Sequence, residues 1–284
     1  DYVDPAAFGQ VLDRLERCAP VALALFDFDF VDEGGRVTKH VTLPGLPKDA
    51  VFSFGDYAGK LHDGPDRWVW IHNAIYRREF LEQIRFACHE HHYYVDMEYI
   101  TYPLAAVGDA VYFPLRARFY LVGRGGQSVA LSSRVRHFDQ YREVVEFLVD
   151  FDKRMSGRAP ERVFTASVNA VGAGGAGGDG PSCGADPRGE TRKEVGAPSR
   201  AVLDYTRRRT AEFVTGVYST LFGFPDRKEA VQVAREFDAW LLREAPEIYQ
   251  ANESAAVKLL RLSRFSLLGA GAAAYRMRDF LSRR

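Results

Sequence analysis

The chain has 284 residues, enough for one large domain or two small ones around a buried core. Its 38 Lys and Arg balance 38 Asp and Glu, which removes the basic field of a dedicated nucleic-acid binder, and 46% hydrophobic with 13% aromatic residues excludes a disordered or collagen-like class. Three cysteines, at 18, 88 and 183, share no paired spacing, which argues against a disulfide framework and for a reducing, cytoplasmic setting.

No apolar stretch reaches the ~20 residues a spanning helix needs. The sequence opens on Asp1 with no leader-like segment, so its start reads as a cut. Asp4-Pro5 is an N-cap followed by an N1 proline, and Phe8, Val11, Leu12, Leu15 and Cys18 repeat at helical spacing. VALALFDFDFV (21–31) predicts a half-buried strand, its acids Asp27 and Asp29 on a solvent face and Phe26, Phe28 and Phe30 on the other. Gly34-Gly35 turns the chain into a second strand over 36–43.

Residues 68–76 predict a further strand and 78–86 a helix, ending in a polar loop at 88–92. Periodicity leaves 93–102 open between helix and strand. A long strand is expected at 109–122, then a helix at 144–155. Between 171 and 184 nearly every residue is Gly, Ala, Asp, Pro or Ser, the composition of a linker. From 201 onward the pattern is wholly helical, with segments at 202–222, 227–243 and 255–281. The expected organisation is an α/β unit over 1–165, a Gly-rich linker over 166–200 and a helical module over 201–284.

Four local patterns carry chemistry. Asp27-Phe28-Asp29-Phe30-Val31 has the D-x-D-x-[TV] form of haloacid-dehalogenase-like phosphatases, although two acids on a strand face read more simply as solvated. His89, His91 and His92 crowd around Glu90 without a metal-ligand spacing, and a solvated loop is the better reading. Asp96 lies in a string of aromatics that would desolvate its carboxyl and raise its pKa toward the range of a general base, although a buried acid in such a string is more often a satisfied structural cap. Arg124, Gln127 and Ser128 sit in a Gly-rich stretch that could close over a phosphate or sugar, or be an ordinary surface turn.

In combination these residues resemble bacterial family 2 glycosyltransferases of the GT-A fold. Asp1-Tyr2-Val3-Asp4-Pro5 is similar to the segment that follows the family's D-x-D pair. Tyr76-Arg77-Arg78-Glu79-Phe80-Leu81, with Asn73 ahead of it, resembles its LYRREFL element. Tyr94-Val95-Asp96-Met97-Glu98-Tyr99 with Tyr102-Pro103-Leu104 resembles the YVDxEY…YP element, Val95 standing where many relatives carry an acid. Gly123-Arg124-x-Gly126-Gln127-Ser128-Val129 is similar to GRxGQSV, and Glu236-Phe237-Asp238 with Pro246-Glu247-Ile248-Tyr249 to the helical extension.

The resemblance implies the C-terminal part of a GT-A-like mixed sheet with flanking helices, followed by a helical module. It implies Asp96 as catalytic base, with Asn73, Tyr94, Arg124, Gln127 and Ser128 touching substrate. The reaction would move a sugar from a nucleotide-sugar donor to a hydroxyl of a glycan or lipid-linked acceptor. A divalent cation, Mn²⁺ or Mg²⁺, is expected on a motif upstream of Asp1, with no metal site in the chain itself, so the fragment alone is expected to be inactive. A non-catalytic scaffold remnant and a phosphatase using Asp27 and Asp29 are the alternatives. Residues 255–284 carry seven basic residues and one acid beside apolar side chains such as Leu259, Leu260, Leu262, Phe265, Leu267, Leu268 and Tyr275, which suits either peripheral contact with the inner face of the cell membrane or packing on the preceding helices with the arginines solvated.

Overall fold

The computed structural model describes residues 1–62, 66, 68–124, 127–128, 130–158 and 198–269. The expected linker therefore lies almost wholly outside the described residues, as do Gly125, Gly126 and everything after Gly269. The fold is mixed α/β, with a six-stranded mixed sheet, flanking helices and a helical C-terminal region.

Strand β1 (Tyr2–Val3) leads directly into helix α1 (Pro5–Arg17). As the sequence predicts, Asp4 caps α1, its Oδ1 accepting from the amides of Ala6 and Ala7 at 2.9 Å. Strand β2 (Leu23–Val31) is central: β3 (Val37–Val41) and β5 (Ala74–Tyr76) pair antiparallel along one edge, and β6 (Asp109–Leu121) pairs parallel along the other. β1 and β4 (Val51–Ser53) flank the far edge of β6.

This placement corrects the expectation of a half-buried β2. Its Asp27 and Asp29 are 5% and 2% exposed, because β2 is covered on both faces. Burial of the carboxylates is tolerated because each has a partner. The Tyr112 hydroxyl donates to Asp27 at 2.6 Å, and Asp29 bonds His40 Nδ1 at 2.7 Å.

The β2–β6 register slips where Phe26 faces Phe113 and Asp27 already faces Arg116. Pro114 sits in the extra length, where a residue without an N–H costs no ladder bond.

Residues 68–73 are not the expected strand. The Asn73 side chain accepts from the Trp70 amide at 2.9 Å and folds the segment into a turn. The apolar composition instead buries Trp68 and Val69 in the core. Helix α2 (Phe54–His62) covers the same core, with α3 (Arg78–Gln83) beside it. α3 is shorter than predicted, because Arg85 adopts a left-handed φ of 53° and the Phe86 amide turns back to Leu81 O at 2.9 Å.

The ambiguous 93–102 segment resolves as helix α4 (Asp96–Ala106), buried nearly all round, which is why it carries no amphipathic period. Short α5 (Leu131–Arg136) precedes α6 (Phe138–Met155), which begins six residues before the expected 144.

Helix α7 (Arg200–Thr220) packs on α2, α4 and α6. Two polar contacts reinforce this docking: Tyr205 accepts the Val69 amide at 2.8 Å, and buried Asp152 on α6 accepts from Arg207 Nε at 2.6 Å. Helices α8 (Arg227–Glu244), α9 (Pro246–Gln250) and α10 (Ala255–Leu262) share an apolar cluster with α6 and α7.

The single helix expected over 255–281 is corrected within the described part. α10 stops at Leu262, and Arg264 and Phe265 take left-handed φ values of 50° and 66°, which turns Phe265 and Leu268 back into the cluster. Arg261 is held by Asp238 at 2.7 Å and lies over the Tyr249 ring, so this cation is paired within the protein.

Candidate active site

Asp96 is the first residue of α4, and the loop before it is built to hold it there. His91 and Tyr94 both take left-handed φ values, 59° and 70°, a strained geometry for residues with side chains. Two groups anchor the loop. Fully buried Glu98 accepts from the His89 amide at 3.0 Å and pairs with His89 Nδ1 at 2.7 Å. His92 Nε2 pairs with Glu143 of α6 at 2.5 Å. The segment is a loop exposed at Glu90 and His91, as expected, from which His89 and His92 take structural partners. Among the described residues no group of His, Cys, Asp and Glu gathers three or more side chains that could hold a metal ion.

Burial pushes the Asp96 carboxyl up from its ordinary pKa, while Arg209 and the amides of Asp96 and Met97 pull it down and nearby Glu98 raises it further. No side chain among the described residues hydrogen-bonds it. The carboxylate is therefore desolvated yet not consumed by an ion pair.

Its charge is felt by tyrosine hydroxyls and by a guanidinium from distant parts of the chain. Tyr94 packs on Tyr141 and Phe213, with centroids at 4.6 and 6.4 Å, and its hydroxyl donates to Ser128 O at 3.2 Å. Burial pushes that hydroxyl up to about 12. Tyr120 of β6 feels the Asp96 charge and stacks on His72 at 4.0 Å. His72 is pulled down to about 4 by burial and by Arg118, so it is neutral at pH 7, and its buried Nδ1 has no partner.

Arg209 of α7 is 8% exposed, lies over the rings of Trp70 and Trp68 at 4.8 and 5.3 Å, and leaves Nε unbonded. Arg134 of α5 donates to Ser219 at 2.8 Å but also leaves its buried Nε unbonded. It acts on the same Tyr94 and Tyr141 hydroxyls that sense Asp96.

The other residues singled out by sequence divide. Asn73 is fully buried and holds the 70–73 turn, with its Nδ2 left unpartnered. Gln127 closes its own loop, accepting from the Gly123 amide at 3.1 Å and donating to Leu121 O at 2.8 Å. Ser128 presents its carbonyl to Tyr94 and so joins that loop to the approach to Asp96. Arg124 is exposed. Asp27 and Asp29 are committed to Tyr112 and His40 inside the sheet.

Sequence reasoning missed Arg209, Arg134, His72, Trp70 and Tyr120. For Arg209 a signal existed: in Val202-x-x-Tyr205-Thr206-x-x-Arg209-Thr210 it falls at helical spacing on the buried face.

Two cavities, of about 340 and 650 Å³, lie along α7, the first lined by Trp68 and Glu212 and the second by Asp204 and Arg207, and neither is lined by Asp96. No family model matches the chain, and neither a curated protein nor a solved structure is significantly similar to it.

Proposed function

We propose that this chain is the acceptor-side part of a family 2-like glycosyltransferase with a GT-A-like sheet, transferring a sugar from a nucleotide-sugar to a hydroxyl of a glycan or lipid-linked acceptor. The observation that carries the reading is Asp96: a desolvated carboxyl at a helix N-terminus, with no side-chain hydrogen-bond partner among the described residues, its charge felt by Tyr94, Tyr120 and Arg209. The resemblance places the catalytic base at this residue.

In the proposed step Asp96 accepts the proton of the acceptor hydroxyl as its oxygen bonds to the anomeric carbon. The carbon–oxygen bond to the nucleoside diphosphate breaks on the opposite side, its electron pair leaving with the phosphate, and the anomeric configuration inverts. Desolvation favours this role because it raises the proton affinity of the carboxylate. Tyr94, tied to Ser128, holds one wall, and the His72–Tyr120 stack offers aromatic surface for a sugar's apolar face. The Leu121 amide donates to the Asp1 carboxylate at 3.0 Å, which holds the D-Y-V-D-P segment along β6.

The test is nucleotide release from a panel of nucleotide-sugars and glycan acceptors, using the protein with all residues its gene encodes. Transfer that falls by roughly 10²- to 10⁴-fold in Asp96→Asn with donor affinity unchanged supports the reading. Normal turnover in that variant removes Asp96 from the mechanism.

A further inference from the structure

Helix α10 divides its apolar residues between two opposite sides. Val257 and Leu260 turn into the cluster shared with α6 and α7, and past the turn Phe265 and Leu268 join them. Ala255, Lys258, Leu259 and Leu262 fall at i, i+3, i+4 and i+7, which places them on the side facing away from that cluster, and all four are exposed. Leu262 is 82% exposed, more than any other large apolar side chain among the described residues, and Leu259 is 54% exposed. Single leucines scattered over a surface are ordinary. Two on one helix stripe, followed by exposed Leu267 just past the turn, are not scattered.

The charges beside these leucines are of one sign. From Ser254 to Gly269 the sequence holds no acid, and Glu253 before it faces Arg208 of α7 at 3.8 Å. Arg261 is taken by Asp238 of α8, whereas Lys258 and Arg264 have no acidic partner among the described residues. Arg235 of α8 adds a cation at the same turn, donating to Arg264 O at 3.0 and 3.2 Å rather than to a carboxylate. Even with Arg235 set against its exposed neighbour Glu236, Lys258 and Arg264 remain uncompensated. A second copy of the chain meeting this stripe about a two-fold axis would bring these like charges together, which disfavours that occupant. Exposed leucines flanked by unpaired cations complement instead a surface that is anionic outside and apolar beneath, the boundary of an anionic bilayer.

We propose that the outer side of α10 rests on an anionic membrane surface, Leu259 and Leu262 entering the headgroup boundary while Lys258 and Arg264 meet the anionic headgroups. The contact is peripheral, since no helix among the described residues is long and apolar enough to cross a membrane. Packing and membrane contact are then not alternatives for this segment: Val257, Leu260, Phe265 and Leu268 serve the first and the outward side chains the second. The inference rests on α10 and does not depend on the role proposed for Asp96.

The experiment is co-sedimentation of the whole protein with vesicles of phosphatidylcholine alone and of phosphatidylcholine mixed with phosphatidylglycerol, at low and at physiological salt. Wild type should bind the mixed vesicles more tightly than the neutral ones, and salt should weaken that preference. Replacing Leu259 and Leu262 together by Gln should weaken binding at least about 10-fold. Because both side chains are exposed, the double variant should melt like wild type. Replacing Lys258 and Arg264 by Gln should cost roughly 5-fold per cation on the mixed vesicles and little on the neutral ones. Leu12→Gln removes a comparably exposed leucine from α1 and should leave binding unchanged. Absence of binding by wild type at low salt overturns the proposal, as does binding that survives both double variants or falls equally in Leu12→Gln. A wild-type dimer that ignores vesicles and dissociates in Leu262→Gln would assign the stripe to a second copy and overturn it as well.

Discussion

The Tyr94 hydroxyl donates to the Ser128 carbonyl at 3.2 Å, joining a residue two positions before Asp96 to one thirty-four positions later. Through this bond the strained turn ahead of α4 and the loop after β6 brace each other. In Tyr94→Phe the ring packing on Tyr141 and Phe213 remains and only the bond goes, so the loss of stability should be about 1 kcal/mol. Hydrogen exchange should quicken at the Gly123 amide, which donates to Gln127 in the same loop. Unchanged exchange there would show that Gln127 alone sets the loop.

Asp96 should also leave a mark on stability that is independent of activity. Its carboxyl is raised above the ordinary 3.8 by burial, so the folded chain holds that proton more tightly than the unfolded chain. The sign follows: as pH rises above about 3.8, through the folded-state value, ionisation costs the native state stability. Asp96→Asn carries no such cost, and its stability relative to wild type should improve across that window and then level off. Denaturant melts at several pH values measure this, and a difference that is flat with pH would contradict the burial of the charge.

His72 predicts the opposite limb. Its imidazole falls from 6.5 to about 4 in the folded chain, so it stays neutral there while the unfolded chain takes up a proton. Its contribution is intact above pH 6.5 and is lost as pH falls toward about 4. In His72→Phe, which preserves the stacking position on Tyr120, the acid-side fall should become shallower over that interval. Thermal melts between those pH values would reveal a slope identical to wild type if His72 were instead protonated in the fold.

Helix α6 meets α7 at Gly216, where a Cβ would collide with the Tyr141 hydroxyl, itself donating to Phe213 O at 2.8 Å. An exposed helical glycine replaced by alanine gains up to about 1 kcal/mol, but here overpacking should cost about 1–3 kcal/mol instead. Gly216→Ala in Tyr141→Phe should be less damaging than in wild type, because the hydroxyl is the nearest obstacle. Full additivity of the two substitutions would place the contact elsewhere.

These sites show where the sequence was readable and where it was not. Asp4-Pro5 announced α1, since a cap and an N1 proline act within one turn. β2 announced itself by composition, but its burial on both faces depends on parallel pairing of Leu23 with Ala110, which nothing local to 21–31 encodes. Helix α4 was hidden because a helix buried on all sides has no polar face to set its phase. The upward push on the Asp96 carboxyl was legible in its aromatic string. Arg209 was not, because Arg207-Arg208-Arg209 reads as a solvated run until α7 is seen to turn only the last toward Trp70 and the first toward Asp152.

The parallel pairing of β2 with β6 also bears on how the chain reaches its fold. During synthesis the VALALFDFDF stretch emerges long before β6 does, and a non-local strand pair forms late. Until then it is an apolar, β-prone segment of the kind that self-associates. Asp27 and Asp29, ionised in an extended chain at neutral pH, break that stretch with two charges at the stage when it has no partner. The same acids that lie inside the finished sheet on Tyr112 and His40 act beforehand as gatekeepers against aggregation.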